Sequence, residues 1–341
     1  MSKEYVSKYI EFPAKGEIQI KSEVINSDNL GPTECIIQNE ASIISAGTEL
    51  ATLNGLQFGA SFPVRPGYGS IGRILEKGAA LSEFNIGDRV FYAGKHREIQ
   101  RFNHGETHQW AYLFPVPEDM DPIEASVGCM AQIAMTAPNI TEMALGDTVV
   151  VYGLGLVGVL AAMMYRILGA KVIGVDPVAH RCELAKRLGI EYVVDVPPSV
   201  QTSAVLDLTG EAGADVTVDA VGHASVIQNC VNTTALFGQV ILLGTARAPF
   251  QGNLTEAFSG IHMKCLRVKG AHMWQYPVDE QRGVKMNVKR NFSTVFELIN
   301  SRKLDVRPLI SHVISIDDVA DAYDGLQNKQ EEYTCAVIDW R

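Results

Sequence analysis

The pattern of apolar and polar positions divides the chain near residue 120. Before that point apolar residues come in short runs. Residues 17–24 alternate polar and apolar, the period of a half-buried strand, and 34–41, 67–75 and 89–92 read as further short strands. Gly67, Gly69 and Gly72 punctuate the third of these, as where a strand bends or another backbone approaches closely. This half predicts a small β-barrel or curled sheet. After Pro122 the texture changes: residues 124–143 are rich in Ala, Met and Ile and predict a helix that Pro138 must break or kink. From Thr148 strand and helix patterns alternate, with strands at 149–152, 171–175, 192–194, 216–220, 239–243 and 266–269 and the clearest helices at 157–168, 181–188 and 224–236. Such alternation predicts an α/β unit, a doubly wound parallel sheet with helices on both faces. The tail is mixed, with helices near 292–301 and 319–327, a turn at Pro308 and a last strand at 335–339. There is no internal repeat and no low-complexity linker.

One stretch would mislead a reading by hydropathy alone. Residues 148–165 carry no charge, and their length admits a membrane span. Gly153, Gly155 and Gly158 interrupt the stretch after the β-branched Val149-Val150-Val151, so a buried strand, a tight turn and a buried helix are expected, and no membrane partner. The 341 residues are 47% hydrophobic and 20% charged, an ordinary soluble globular composition. At roughly 150 residues per domain, that length suggests two domains. Thirty-nine acidic against 29 basic residues leave a net charge of −10, and no Lys/Arg run is long enough to neutralise a phosphate backbone, so no nucleic-acid partner is expected. Met1-Ser2-Lys3-Glu4 does not open a secretory signal. Cys35, Cys129, Cys182, Cys230, Cys265 and Cys335 are scattered without a CxxC, which predicts free thiols and a cytoplasmic location.

The strongest motif is Gly153-Leu154-Gly155-Leu156-Val157-Gly158, which follows an apolar strand and opens an apolar helix. In that context the first Gly makes the turn, the second lets backbone approach a pyrophosphate, and the third lets helix pack on strand. The N–H groups at Leu156 and Val157 then face the anion. Asp176 ends the next strand, where a carboxylate would bond both ribose hydroxyls and repel a 2′-phosphate. NAD is therefore expected rather than NADP. Arg181, five residues on, would lie over the adenine or else be a solvated helix-end charge. Val221-Gly222, Leu243-Gly244 and Gly270-Ala271-His272 fall at strand ends on the carboxyl edge of the sheet, where they would line the nicotinamide side.

These motifs resemble those of the medium-chain dehydrogenase/reductases, the alcohol dehydrogenase superfamily, over nearly the whole chain. Gly146-Asp147-Thr148-Val149-Val150-Val151-Tyr152-Gly153 leads into the cofactor loop as in that family. Gly169-Ala170-Lys171-Val172-Ile173-Gly174-Val175-Asp176 and 213–222 match its later strands, and Gly87-Asp88-Arg89-Val90 and Val116-Pro117-Glu118-Asp119-Met120 its first half. The resemblance implies a GroES-like β-rich catalytic domain at 1–128 and 273–341 and a Rossmann NAD-binding domain at 129–272. It also implies a small-molecule substrate and a homodimer or homotetramer, with dimers pairing the last strand of each nucleotide-binding sheet. The departures concern metal. Zinc-dependent members carry Cys-Gly-Thr/Ser-Asp where this chain has Ala46-Gly47-Thr48-Glu49, and Gly-His-Glu where it has Gly67-Tyr68-Gly69. Cys129 falls near the third ligand position. One thiolate cannot make a three-ligand catalytic site. No Cys lies between Cys35 and Cys129 to build the structural zinc lobe, so no zinc is expected. A rival metal reading at His104-Gly105-Glu106-Thr107-His108, with His96 upstream, is weaker than a solvated loop, because Gly105 disfavours the required helix.

Without zinc, a side-chain donor and acceptor must meet the reacting oxygen. Thr48 stands where relatives keep a relay hydroxyl, Tyr68 where they keep a zinc-ligating His, and His96 follows the 89–92 strand as a proton shuttle. Each has a plain alternative: a turn cap, filler for the zinc void, and a surface loop residue. The expected function is zinc-independent, NAD-dependent interconversion of an alcohol (polyol, sugar-like or secondary) and its carbonyl. The alternatives are a quinone or enoyl reductase of the same superfamily and a redox-silent NAD-binding protein.

Overall fold

The computed structural model describes residues 3–59, 61–105 and 110–341. The N-terminal part is built from β1 (Glu4–Glu11), β2 (Gln19–Asn26), β3 (Glu34–Ile43), α1 (Ala46–Leu53), β4 (Ser70–Lys77), β5 (Arg89–Tyr92), β6 (Ile99–Asn103) and β7 (Leu113–Pro115). β1 and β2 form an antiparallel ribbon, and β3, β4, β5 and β7 lie side by side as an antiparallel sheet with β6 paired to β3. The β3–β4 register shifts twice, the bend that the glycines of β4 foreshadow. β1 follows no clean alternation and was not expected from the pattern. α1 was not expected either: the residues compared with a metal-binding segment form a helix.

α2 (Pro122–Ile140) starts where Asp121 caps it, its Oδ1 accepting from the N–H groups of Ile123 and Glu124 at 2.8 and 3.3 Å, with Pro122 in the first turn. Pro138 neither breaks nor visibly redirects it. It sits in the last turn, so it removes the bond to the Ala134 carbonyl only two residues before the helix stops at Ile140, three residues short of the expected end.

Then come β8 (Thr148–Tyr152), α3 (Leu156–Ile167), β9 (Lys171–Val175), α4 (Ala179–Arg187), β10 (Tyr192–Val194), α5 (Gln201–Leu208), β11 (Ala214–Asp219), α6 (Ala224–Thr233), β12 (Thr234–Leu242), α7 (Leu254–Met263) and β13 (Arg267–Gly270). All six strands are parallel, in the order β10-β9-β8-β11-β12-β13. The order reverses between β8 and β11, and such a switch point opens a crevice at the strands' carboxyl ends. Val149, Val150 and Val151 are all fully buried because β8 has helices on both faces. The uncharged stretch is therefore β8, the glycine turn and most of α3, and among the described residues no helix is long and apolar enough to cross a membrane.

The tail returns to the first sheet. α8 (Val288–Asn300) packs on α2, α9 (Val319–Asn328) on α1, and β14 (His312–Ile314) and β15 (Ala336–Asp339) extend the antiparallel sheet next to β3. α2 passes through the expected domain boundary without interruption. It packs on β3 and on α3, and one core cluster runs from Ile43 and Phe91 through α2 to Val159 and Val218.

Candidate active site

The phosphate loop sits at the switch point. Gly153 has φ +92°, closed to most side chains, and a Cβ on Gly158 would lie 1.9 Å from the Gly153 carbonyl oxygen, so both must be glycine for α3 to pack where it does. Gly155 differs, because nothing lies within 4 Å of where its Cβ would be. It faces the cleft and caps α3 without a side chain, so the N–H groups of the helix's first turn are open to an incoming anion. That is the cradle a dinucleotide's pyrophosphate requires, and the residues fit one.

Asp176, buried at the end of β9, accepts the Leu154 N–H on Oδ2 at 2.7 Å and the Val178 N–H on Oδ1 at 2.9 Å, and Arg181 lies 3.6 Å away. Asp176, Gly153 and Arg181 line a hollow of about 310 Å³, and Arg181 and Val221 continue from it into the main cleft. Asp219, which the pattern did not single out, ends β11 and organises the next turn. Its Oδ1 accepts from the N–H groups of Val221 and Gly222 at 3.0 Å each, while Oδ2 is buried without a partner and burial raises the carboxyl's pKa.

The cleft, about 270 Å³, is closed on its other side by the antiparallel sheet's helix α1 and by Tyr68. Ser45, Ala46, Gly47 and Thr48 line it at the start of α1. The Tyr68 hydroxyl is hydrogen-bonded to Ser45 Oγ and lies beside Thr48; burial pushes its pKa well above the ordinary tyrosine value, so the phenol is neutral. Arg247 was missed from the sequence. It reaches in from the loop after β12, three residues beyond the Leu243-Gly244 pair already marked as a strand end, and donates to Thr48 Oγ1 at 3.3 Å and Gln57 Oε1 at 3.0 Å.

A family model described as "Zinc-binding dehydrogenase" matches residues 157–287. D-guloside 3-dehydrogenase of Escherichia coli K12 is 29% identical over 257 residues, covering 74% of this chain and 71% of that one. L-threonine 3-dehydrogenase of Rhizobium johnstonii is 25% identical over 358 aligned positions, covering 96% and 97%. The solved structure of galactitol-1-phosphate dehydrogenase from Escherichia coli superposes with a TM-score of 0.81 at 18% identity, covering 97% and 99%. These matches support the resemblance to the medium-chain dehydrogenase/reductases.

The chain has the α/β fold expected, a GroES-like sheet and a Rossmann sheet, and its dehydrogenase relatives support an oxidoreductase class. The residues at the metal positions do not fit a catalytic zinc. Cys129, on α2, does adjoin Gly69, whose Cβ would lie 2.9 Å from its Sγ, but the thiol is buried and burial raises its pKa. Ala46 offers no donor, and Glu49 is committed elsewhere. Among the described residues no three His, Cys, Asp or Glu gather into a metal-binding group. His104 Nδ1 bonds the Ala111 carbonyl at 2.8 Å, while Glu106, Thr107 and His108 lie outside the described residues.

Two expected site residues are placed differently. His96 is neither a surface residue nor on the cleft wall. It is fully buried, with Nδ1 2.8 Å from Ser42 Oγ and Nε2 3.0 Å from Glu49 Oε2, a carboxylate that also accepts from Tyr323 Oη and, at 3.0 Å, from the Ser45 N–H. Burial pushes the Glu49 carboxyl up, and His96 and these donors more than offset it, leaving it below the usual range. His96 thus braces α1 from behind and does not touch the cleft. The His272 side chain is exposed and does not line the cleft, because its neighbours Ala271 and Met273 take the buried positions.

Proposed function

We propose that the chain is a zinc-independent, NAD-dependent dehydrogenase that interconverts an alcohol, of polyol, sugar-like or secondary type, and its carbonyl. The observation that carries this reading is the single cleft with an open phosphate cradle on one wall and the Ser45–Tyr68–Thr48 hydroxyl cluster on the other. Gly153, Gly155, Leu156, Val157 and Gly158 would hold the pyrophosphate, Asp176 the adenosine ribose and Arg181 the adenine side. Val221, Gly222 and Gly244 would approach the nicotinamide ring. A bound nicotinamide supplies the hydride acceptor for oxidation and the donor for reduction. The neutral Tyr68 phenol donates to the substrate oxygen, which is charged once its proton has left and until the hydride departs, and Thr48 or Ser45 passes that proton outward. Arg247, against Thr48, adds positive charge on the same side. The division at 1–128 with 273–341 and at 129–272 assigns the hydroxyl cluster to one unit and the cradle to the other.

The test is Tyr68→Phe, which keeps the ring and removes the donor. Turnover on the true substrate should fall by roughly 10²-fold or more with NAD affinity unchanged. Unchanged turnover with a lower Tm would make Tyr68 filler, and turnover only on quinones or enoyl compounds would replace the alcohol reading. A homodimer joined through the free edge of β13 is part of the same proposal. The exposed Val268, with Leu254, Phe258 and Met263 on α7, supports it. A reducing, cytoplasmic setting is supported by six unpaired cysteines.

A further inference from the structure

Tyr68 belongs to two hollows. Besides the cleft, it lines a cavity of about 540 Å³ together with Lys95, Gln100, Arg101, Asn103 and Trp110. No carboxylate is among the described residues of its wall, in a chain with ten more acidic than basic residues. Arg101 is already neutralised by Glu34, which it meets through Nε and Nη2. Lys95 is not. Among the described residues its ammonium has no hydrogen bond and no ion pair; only its backbone is engaged, the N–H donating to Gln100 Oε1 at 2.9 Å and the carbonyl accepting from Asn39. The carboxylate whose field reaches it, Glu49, is taken up by His96, Tyr323 and the Ser45 N–H. Lys95 is exposed, so its ammonium stands at the mouth of the cavity, where neighbouring protein lowers its pKa.

The rest of the wall narrows what the charge would meet. Trp110 is fixed between Tyr68, at 5.2 Å between centroids, and Trp274, at 4.6 Å, and gives a rigid apolar face for a carbon skeleton. The Asn103 side-chain carbonyl accepts from the Thr33 hydroxyl and the Gly105 N–H, so that amide has only N–H left to offer, while Gln100, whose carbonyl accepts the Lys95 N–H, keeps its amide N–H groups and one lone pair. An aromatic face, amide donors and one uncompensated cation suit a hydroxylated ring or chain that ends in an anion.

We propose that this cavity is the distal part of the substrate site and that the substrate is an anionic polyhydroxy compound, its carboxylate or phosphate paired with Lys95 Nζ. The proposal rests on the reading of the cleft as the place of hydride transfer, since Tyr68 is what joins the two hollows.

The full-length protein with saturating NADH is titrated with methyl glucoside, methyl glucuronoside and glucose 6-phosphate, followed by intrinsic tryptophan fluorescence, and the same compounds are assayed for turnover with NAD. At least one anionic probe should bind roughly 10- to 100-fold more tightly than the neutral glucoside. Which one does so separates a carboxylate site from a phosphate site. Lys95→Met should abolish the preference, Lys95→Arg should retain part of it, and NADH affinity and Tm should not change. In turnover the loss should appear in KM. Anion binding that Lys95→Met removes, with no turnover of any alcohol, would support this site and sink the dehydrogenase reading. Turnover of neutral alcohols with no preference for an anion would do the reverse. Failure of every anionic probe to bind, or a preference that survives Lys95→Met, overturns the proposal.

Discussion

Asp176 holds the Leu154 and Val178 N–H groups that shape the glycine turn, and the proposed function gives it a second role, as the ribose acceptor. Arg181 beside it also weakens the repulsion that a 2′-phosphate would meet. Two substitutions separate these roles. Asp176→Asn keeps one of the two acceptors and removes the charge, so NAD should bind more weakly, NADP relatively better, and Tm should fall only part of the way. Asp176→Ala should shift the same preference and lower Tm further. Dissociation constants for both nucleotides check this, and tighter binding of NADP by the unmodified protein would refute it. The same scale shows where reading the sequence stopped. The sequence singles out His96 rather than Lys95, but adjacent residues of an extended chain face opposite ways, and the burial that decides between them comes from β3 and α1, far away in sequence. The imidazole went inward and the ammonium outward. Arg247 and Asp219 were hidden for the same reason: nothing local marks a loop arginine or a strand-end carboxylate as meeting Thr48 or the Val221 turn.

At the scale of elements, the central strands of the parallel sheet were legible because they are buried on both faces, so runs such as Val149-Val150-Val151 have one reading. α7 has no buried residue, so it shows no apolar stripe facing a core, and it was missed. β6 and β7 are short and borrow their definition from β3 and β5. What hides α7 from a search for amphipathic helices also makes it informative. Leu254, Phe258 and Met263 lie exposed near a strand edge with unpaired backbone groups. Val268→Asp, on that edge, should turn a dimer into a monomer with an intact fold, as read by analytical ultracentrifugation and circular dichroism. A wild-type protein that is monomeric at micromolar concentration would dispose of the edge pairing.

The whole molecule is less divided than its two sheets imply. α2 runs through the nominal boundary, and a single apolar cluster joins β3, β5, α8, α3 and β11. Cutting the chain at residue 128 would split that helix and expose Met130 and Met135, both buried. Calorimetry of the intact protein should therefore show one cooperative transition, and two separable transitions would mean that the shared core does not couple the sheets. One transition has a practical consequence. A compound held only by the antiparallel sheet raises the same melting temperature as one held only by the parallel sheet, because unfolding must release both. Free ligand at 100 times its Kd stabilises by about 2.7 kcal/mol, enough to move the midpoint by several degrees. A metabolite library screened by thermal shift, with and without NADH, would report on the cradle and on the Lys95 cavity in one measurement that needs no turnover.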